Sequence, residues 1–266
     1  MNTGVVFLMY HELQLPQREL CETVPGYVRY VVTENHFREH LALLHSNAWQ
    51  VLNVTEALKS IDEEKNTQKQ RVCLTFDDGC ATDVLVVAPL LREKGFNATF
   101  YVTVNHLGRR GYLTPEQLRD LSDLGFEIGS HSMTHCYLDN LDVNELEVEV
   151  SGSKDRLEQL TGRPVAHFSC PGGRMNSLLP KIAMDAGYES VATSRPGSNG
   201  SDMDRFSLAR VSVMRGTTAK EFERLCLGEG LLMRRAETAI LDAAKRVLGN
   251  TIYTRIRSTV LGRNPV

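Results

Sequence analysis

A chain of 266 residues with 42% hydrophobic and 24% charged side chains carries enough apolar material for a full core, which excludes a disordered tail, a collagen-like repeat or a small disulfide scaffold. Thirty basic against thirty-three acidic residues leave a formal charge of −3, so no global field recruits nucleic acid or an anionic membrane. The six cysteines (Cys21, Cys73, Cys80, Cys136, Cys170, Cys226) have neither CxxC nor zinc-finger spacing and read as reduced thiols. Val5 to Tyr10 is only a strand-length apolar run, unlike a secretory leader, and no stretch approaches the roughly eighteen apolar residues of a membrane span. The cytoplasm is therefore the expected location.

In chain order, eight strand-length apolar runs alternate with helical patterns: Val5–Met9, Gln50–Asn53, Val72–Phe76, Ala98–Val104, Phe126–Ser130, Val165–Ser169, Tyr188–Thr193 and Leu208–Val213. That alternation predicts an α/β fold built of βα units around a parallel sheet or barrel. One helix spans the region around Phe37 to Leu44 and carries His36, His40 and His45. Trp49, before the second strand, is expected to be buried. Asp62 to Gln70 is charged and aperiodic, a surface loop. Thr114-Pro115-Glu116-Gln117 is a capping box with proline at the first helical position, and that helix stops at Gly125; Asp142 with Glu145, stopping at Gly162, repeats the pattern. From about Leu231 onward seven basic residues face two acidic ones, and apolar residues at helical spacing predict two amphipathic helices. They are read as a cap on the domain, with a basic face toward a membrane surface or a lipid-linked substrate as the second reading. The expected organisation is one domain in three parts: an N-terminal βα portion over 1–70, a core over 71–216 and a basic helical segment over 217–266.

The chemistry gathers at two strand exits. Arg71 to Phe76 delivers Asp77-Asp78-Gly79 where the strand must stop, and Phe126 to Ser130 leads into His131-Ser132-Met133-Thr134-His135. Asp-Gly pairs also make turns, and an isolated HxxxH is a weak signal. In a parallel α/β fold, however, ligand sites are built at the carboxyl ends of strands. The four-residue spacing predicts both imidazoles on one face of a helical turn. One Asp and two His then supply three ligands with positions left open, the arrangement of a catalytic metal centre.

Thr75-Phe76-Asp77-Asp78-Gly79 and His131-Ser132-Met133-Thr134-His135 resemble the first two motifs of the polysaccharide deacetylase family, the NodB-homology or carbohydrate esterase family 4 domain. The resemblance extends over roughly Val72 to Val213, and Tyr10-His11 resembles the N-terminal portion of the branch that includes poly-N-acetylglucosamine deacetylases. It implies a distorted (β/α) barrel of the NodB-homology type, here with additional C-terminal helices. It also implies a divalent metal, usually zinc, bound by Asp78, His131 and His135, with Asp77 as general base. The implied reaction is removal of an N-acetyl group from an amino sugar or glycan precursor by metal-activated water, with an N-acetylated sugar as partner and no nucleic acid.

The third family motif, Arg-Pro-Pro-Tyr-Gly, falls on Ser169-Cys170-Pro171-Gly172-Gly173, so the arginine that would orient the base is absent there. Gly172, after Pro171, stands where the oxyanion-stabilising backbone N–H is expected, and Arg174 is a candidate to reach Asp77 in the missing arginine's stead. The family's acidic histidine has no counterpart near Val211 to Met214, and the tryptophan-containing motif is missing. His11 closes the first predicted strand and is expected to serve as proton donor or substrate-positioning group, the alternative being a plain strand cap. Two further readings remain: a hydrolase of another C–N amide, such as a cyclic ureide or imide, and a degenerate carbohydrate-binding homologue without activity. A non-heme iron oxygenase also uses two His and a carboxylate, but leaves the second aspartate without a task.

Overall fold

All eight expected strands form in the computed structural model, which describes residues 4–63, 69–231, 233 and 235. They are β1 (Val6–Tyr10), β4 (Gln50–Leu52), β5 (Arg71–Phe76), β6 (Thr99–Val102), β7 (Glu127–Ser130), β8 (His167–Ser169), β9 (Ser190–Ala192) and β10 (Val211–Ser212). Two short strands that periodicity could not detect, β2 (Leu13–Gln14) and β3 (Val32–Thr33), pair with each other.

The large sheet is parallel throughout and runs β10-β1-β5-β6-β7-β8-β9, with β4 paired to the first half of β5 and β6 to its last two residues. Leu208 bridges Ala192 of β9, while Val211 and Ser212 pair with Leu8 and Met9 of β1. The segment 208–212 thus draws the two ends of the sheet together and curls it into a distorted barrel. β1 lies between β5 and β10, so the N-terminal portion is a stave of the same sheet.

Every residue of β1 is buried, as both faces of a parallel sheet must be when helices cover one side and a packed interior fills the other. Val6, Leu8 and Tyr10 join the large outer core beneath the helices, with Phe37, Leu41 and Leu44 of the helix Glu34–Ser46. Phe7, Cys73, Tyr101, Ala192 and Leu208 face inward. There they meet Val54, Ala57, Leu58 and Ile61 of the helix Val54–Asp62, which plugs one end of the barrel. Gly129 in β7 is required by this interior, because a Cβ there would stand 2.4 Å from the buried Tyr101 ring.

The expected helix caps are present. Thr114 and Gln117 form a reciprocal box on Pro115–Asp123, and Asp142 with Glu145 does so on the helix opening at Val143. That second helix continues to Thr161 and stops at Gly162, but Val148–Gly152 widen into a π turn. Trp49 is buried and all six cysteines are free. Among the described residues, no helix is long and apolar enough to cross a membrane. Most of the expected loop over 62–70 and the amphipathic helices beyond 235 lie outside the described residues.

Candidate active site

Because the strands run parallel, His11, Asp77, His131 and the turn after Ser169 all emerge at one end of the barrel, opposite the plugging helix. Asp78 Oδ1 lies 3.2 Å from His135 Nε2 and 3.4 Å from His131 Nε2. The three ligand atoms fall within 4.8 Å of one another. Asp78 Oδ1 is buried and has no hydrogen-bond partner among the described residues.

His131 Nδ1 lies 2.9 Å from the Ser169 carbonyl. A carbonyl can only accept, so Nδ1 carries a proton and Nε2 is the ring atom turned toward Asp78. Burial alone would raise the Asp78 carboxyl, but His131 and His135 hold it well below the usual carboxylate range. Burial would likewise lower His135, yet Asp78 holds it above its ordinary value. A carboxylate and two imidazole nitrogens converging on one point, with an orphaned oxygen among them, suit a divalent cation with N/O preference.

The expected helical turn over 131–135 does not form. Ser132 and His135 adopt left-handed backbone conformations, with φ of 66° and 68°. Glu149, in the π turn of the neighbouring helix, takes the hydrogen bonds instead. It accepts from Met133 N (3.0 Å), Thr134 N (2.9 Å) and Thr134 Oγ1 (2.7 Å). Ser132 Oγ accepts from His135 N at 3.0 Å. The rings still meet, with centroids 5.1 Å apart. Asp78 itself has φ of 81°, so two of the three candidate ligands sit in strained backbone of the kind that persists where surrounding structure over-determines it.

Asp77 is 2% exposed and is gripped by Arg210, which is fully buried. Arg210 Nη1 donates to Asp77 Oδ1 at 2.7 Å and Nη2 to Asp77 Oδ2 at 2.8 Å. Its remaining N–H groups reach Thr75 Oγ1 (3.2 Å), Ser169 Oγ (2.7 Å) and the Thr193 carbonyl (2.9 Å), so all five donors are used. Burial pushes the Asp77 carboxyl up, but the Arg210 charge outweighs it and the net direction is down.

The arginine missing from the third motif is therefore supplied from the opposite edge of the sheet. Arg174 does not take that place: its guanidinium lies 3.9 Å over the Tyr137 ring and 4.0 Å from Asp139. Arg210 was missed because motif position was followed. The signal lay in Leu208-Ala209-Arg210-Val211, an arginine inside a strand expected to be buried.

Pro171–Gly173 forms a tight turn after β8. Gly172 has φ of 62°, and a Cβ there would stand 2.7 Å from Tyr137 Cε1, so only glycine fits. His11 stacks on Tyr30 at 4.9 Å, and its buried Nδ1 has no hydrogen-bond partner among the described residues. Burial lowers its pKa, while Asp78 and Asp77 pull it back up, which places the ring within electrostatic reach of both aspartates. His106, read from the sequence as a loop residue, also adjoins the site, with its ring 5.4 Å from that of His135.

A family model described as polysaccharide deacetylase matches residues 64–191. YxkH of Bacillus subtilis (strain 168), provisionally named a polysaccharide deacetylase, is 29% identical over 191 residues, covering 72% of this chain and 68% of its own length. The peptidoglycan-N-acetylglucosamine deacetylase of Bacillus cereus is 35% identical over 121 residues, which is 45% of this chain and 54% of that enzyme. The chain thus spans about half the length of the latter relative. Among solved structures, the Streptococcus pyogenes deacetylase PplD in complex with acetate matches with a TM-score of 0.74 at 21% identity, over 84% of this chain and 98% of that one, a likeness of fold.

Proposed function

We propose that the chain, whose residues 64–191 match the polysaccharide deacetylase family model, removes the N-acetyl group of an amino sugar with Asp77 as general base and a divalent cation, zinc by its donors, held by Asp78, His131 and His135. The observation that carries this reading is the division of labour between two adjacent carboxylates. Asp77 is saturated by a buried arginine, whereas Asp78 offers an unpartnered oxygen to two imidazoles. When bound, such a cation supplies Lewis acidity: it polarises the amide carbonyl and acidifies water.

The side chains do the rest. Arg210 keeps Asp77 ionised at neutral pH, so the carboxylate is ready to accept the proton of the attacking water. Asp77 Oδ2 lies 3.8 Å from His131 Nε2, beside the point on which the ligands converge. The Gly172 N–H is the oxyanion donor, effective because negative charge grows on the carbonyl oxygen only in the transition state. His11 gives a proton to the departing amine nitrogen; because burial lowers its pKa the ring is neutral at rest, so it first takes up a proton during turnover, from water or by way of Asp77, and then releases it readily. Pro171 shapes the turn that presents Gly172. Arg174 stacked on the exposed Tyr137 ring forms a wall against which a sugar can rest.

Acetate release from free, nucleotide-linked, lipid-linked and peptidoglycan-borne N-acetyl sugars by the zinc-reconstituted chain tests the reading. We expect Asp77→Asn to lower turnover by about 10²–10⁴ with metal content unchanged. No acetate from any of these substrates, or full turnover in Asp77→Asn, would overturn it. In the same assay His11→Ala should slow turnover without losing metal, and a wild-type rate would remove His11 from the mechanism.

A further inference from the structure

Behind the turn that carries Asp77 and Asp78 lies a second group of potential metal ligands that the deacetylation does not use. Cys80 follows Asp78 by two residues, Glu12 follows β1, and Cys21 comes from the loop beyond β2. One carboxylate oxygen and the two sulfurs lie within 4.8 Å of one another, with 3.7 Å between the sulfurs. Glu12 and Cys80 are fully buried and Cys21 is half-buried.

The group is held in place from several sides. Glu12 Oε2 accepts from Cys21 N (2.8 Å) and from the Tyr27 hydroxyl (3.0 Å), which also lies 3.4 Å from Cys80 Sγ. Arg18 pairs with Glu12 Oε1 and donates to the Gly111 carbonyl at 2.8 Å, and Cys21 Sγ lies 3.0 Å from that same carbonyl. Beside the cluster stands Asp83. It is fully buried, both its carboxylate oxygens lack hydrogen-bond partners among the described residues, and burial pushes its carboxyl well above the usual carboxylate range.

We propose that Glu12, Cys21 and Cys80 form a second metal site that takes a thiophilic divalent cation of the zinc class. Two thiolates on one tetrahedral zinc, with bonds of about 2.3 Å, stand about 3.8 Å apart, close to the separation already present. Mixed sulfur and oxygen donors favour zinc or cobalt over magnesium or calcium. Binding exchanges the two thiol protons for one dication, so no electrons move and the net charge of the cluster stays as it was. Glu12 keeps its Arg18 pair on Oε1 and turns Oε2 to the cation. The Cys21 thiol proton leaves the Gly111 carbonyl as the sulfur turns to the cation. The bound ion ties the loop over 18–21 and the segment after β1, which carries His11, to the turn that carries Asp78. It is a structural brace behind the active site.

The inference stands on its own ligands and not on the deacetylase reading. The full chain, stripped by chelator and kept reduced with a phosphine, is titrated with Co²⁺ while bound metal and near-ultraviolet absorption are measured. We expect two equivalents per chain and a thiolate-to-cobalt charge-transfer band. Cys21→Ser should bind one equivalent without the band, and Cys80→Ser serves the same purpose should Cys21→Ser fail to fold. Substituting both His131 and His135 by Asn should remove the other equivalent and keep the band. A wild-type chain without the band, or a band that survives in Cys21→Ser, overturns the second site. A single equivalent lost with the two histidines does so while leaving the deacetylase centre intact.

Discussion

Replacing Arg210 by methionine isolates the most consequential contact in the molecule. All five of its N–H donors are engaged, two of them on a carboxylate that is itself 2% exposed. Methionine fills a similar volume but leaves Asp77 buried without its counter-charge. Breaking a buried ion pair from one side costs about 3–5 kcal/mol. The chain can escape part of that cost only by protonating Asp77, which removes the general base.

The direction with pH follows. In the wild type the Asp77 carboxyl is held below its unfolded value, so the pair contributes stability above the unfolded carboxylate pKa and loses it as pH falls through the folded one. In Arg210→Met burial dominates and the folded pKa rises above the unfolded value. The deficit is therefore smaller near pH 4, where only the wild-type pair's own contribution is missing, and grows to about 3–5 kcal/mol toward neutrality. Arg210→Lys keeps a charge, but its ammonium cannot match the two-pronged contact, and about 2–3 kcal/mol is lost. Urea unfolding of chelator-treated protein at pH 4 and pH 7.5 reads these values with no cation to stand in for the arginine. Acetate release by the reconstituted methionine variant should fall about 10²–10⁴-fold. Wild-type stability at pH 7.5, or wild-type turnover, would refute the argument that Arg210 holds the base.

Two other perturbations probe separate links. His40 is fully buried, accepts the Tyr10 hydroxyl on Nδ1 at 3.0 Å, donates from Nε2 to the Thr217 carbonyl at 3.1 Å, and stacks on Phe222. Burial lowers its pKa from 6.5 to about 4. The unfolded chain therefore binds the extra proton first, and about 3 kcal/mol of stability is lost as pH falls from 6.5 to 4. His40→Gln should flatten that slope in unfolding experiments, and an unchanged slope would reject His40 as its source. Glu149→Gln replaces an oxygen that accepts from the loop over 133–134 with an amide N–H, and should weaken zinc binding about 10–100-fold. Competition with a chromophoric chelator measures this, and unaltered affinity would show that Glu149 does not position the ligand loop.

Much was legible in the chain because it is local. Eight apolar runs at strand length, separated by capped helices, specify βα units regardless of partner, since burial on both faces of a parallel sheet demands continuous apolar sequence. Carboxylates and imidazoles at strand exits could be placed at one end of the barrel for the same reason. The short β2–β3 pair, the π turn and the left-handed backbone over 132–135 were not legible. Two-residue strands show no period, and a widened turn leaves no mark in hydrophobic spacing.

By itself, then, the order of residues determined the sheet, the adjacent aspartates and the two histidines, because each depends on neighbours only a few positions away. Only the tertiary structure decided which cation guards Asp77, since Arg210 lies 133 residues from it and reaches it only because the curled sheet brings its first and last strands together. The same closure explains why Arg174, far nearer in the motif, points elsewhere: its guanidinium finds the Tyr137 ring first.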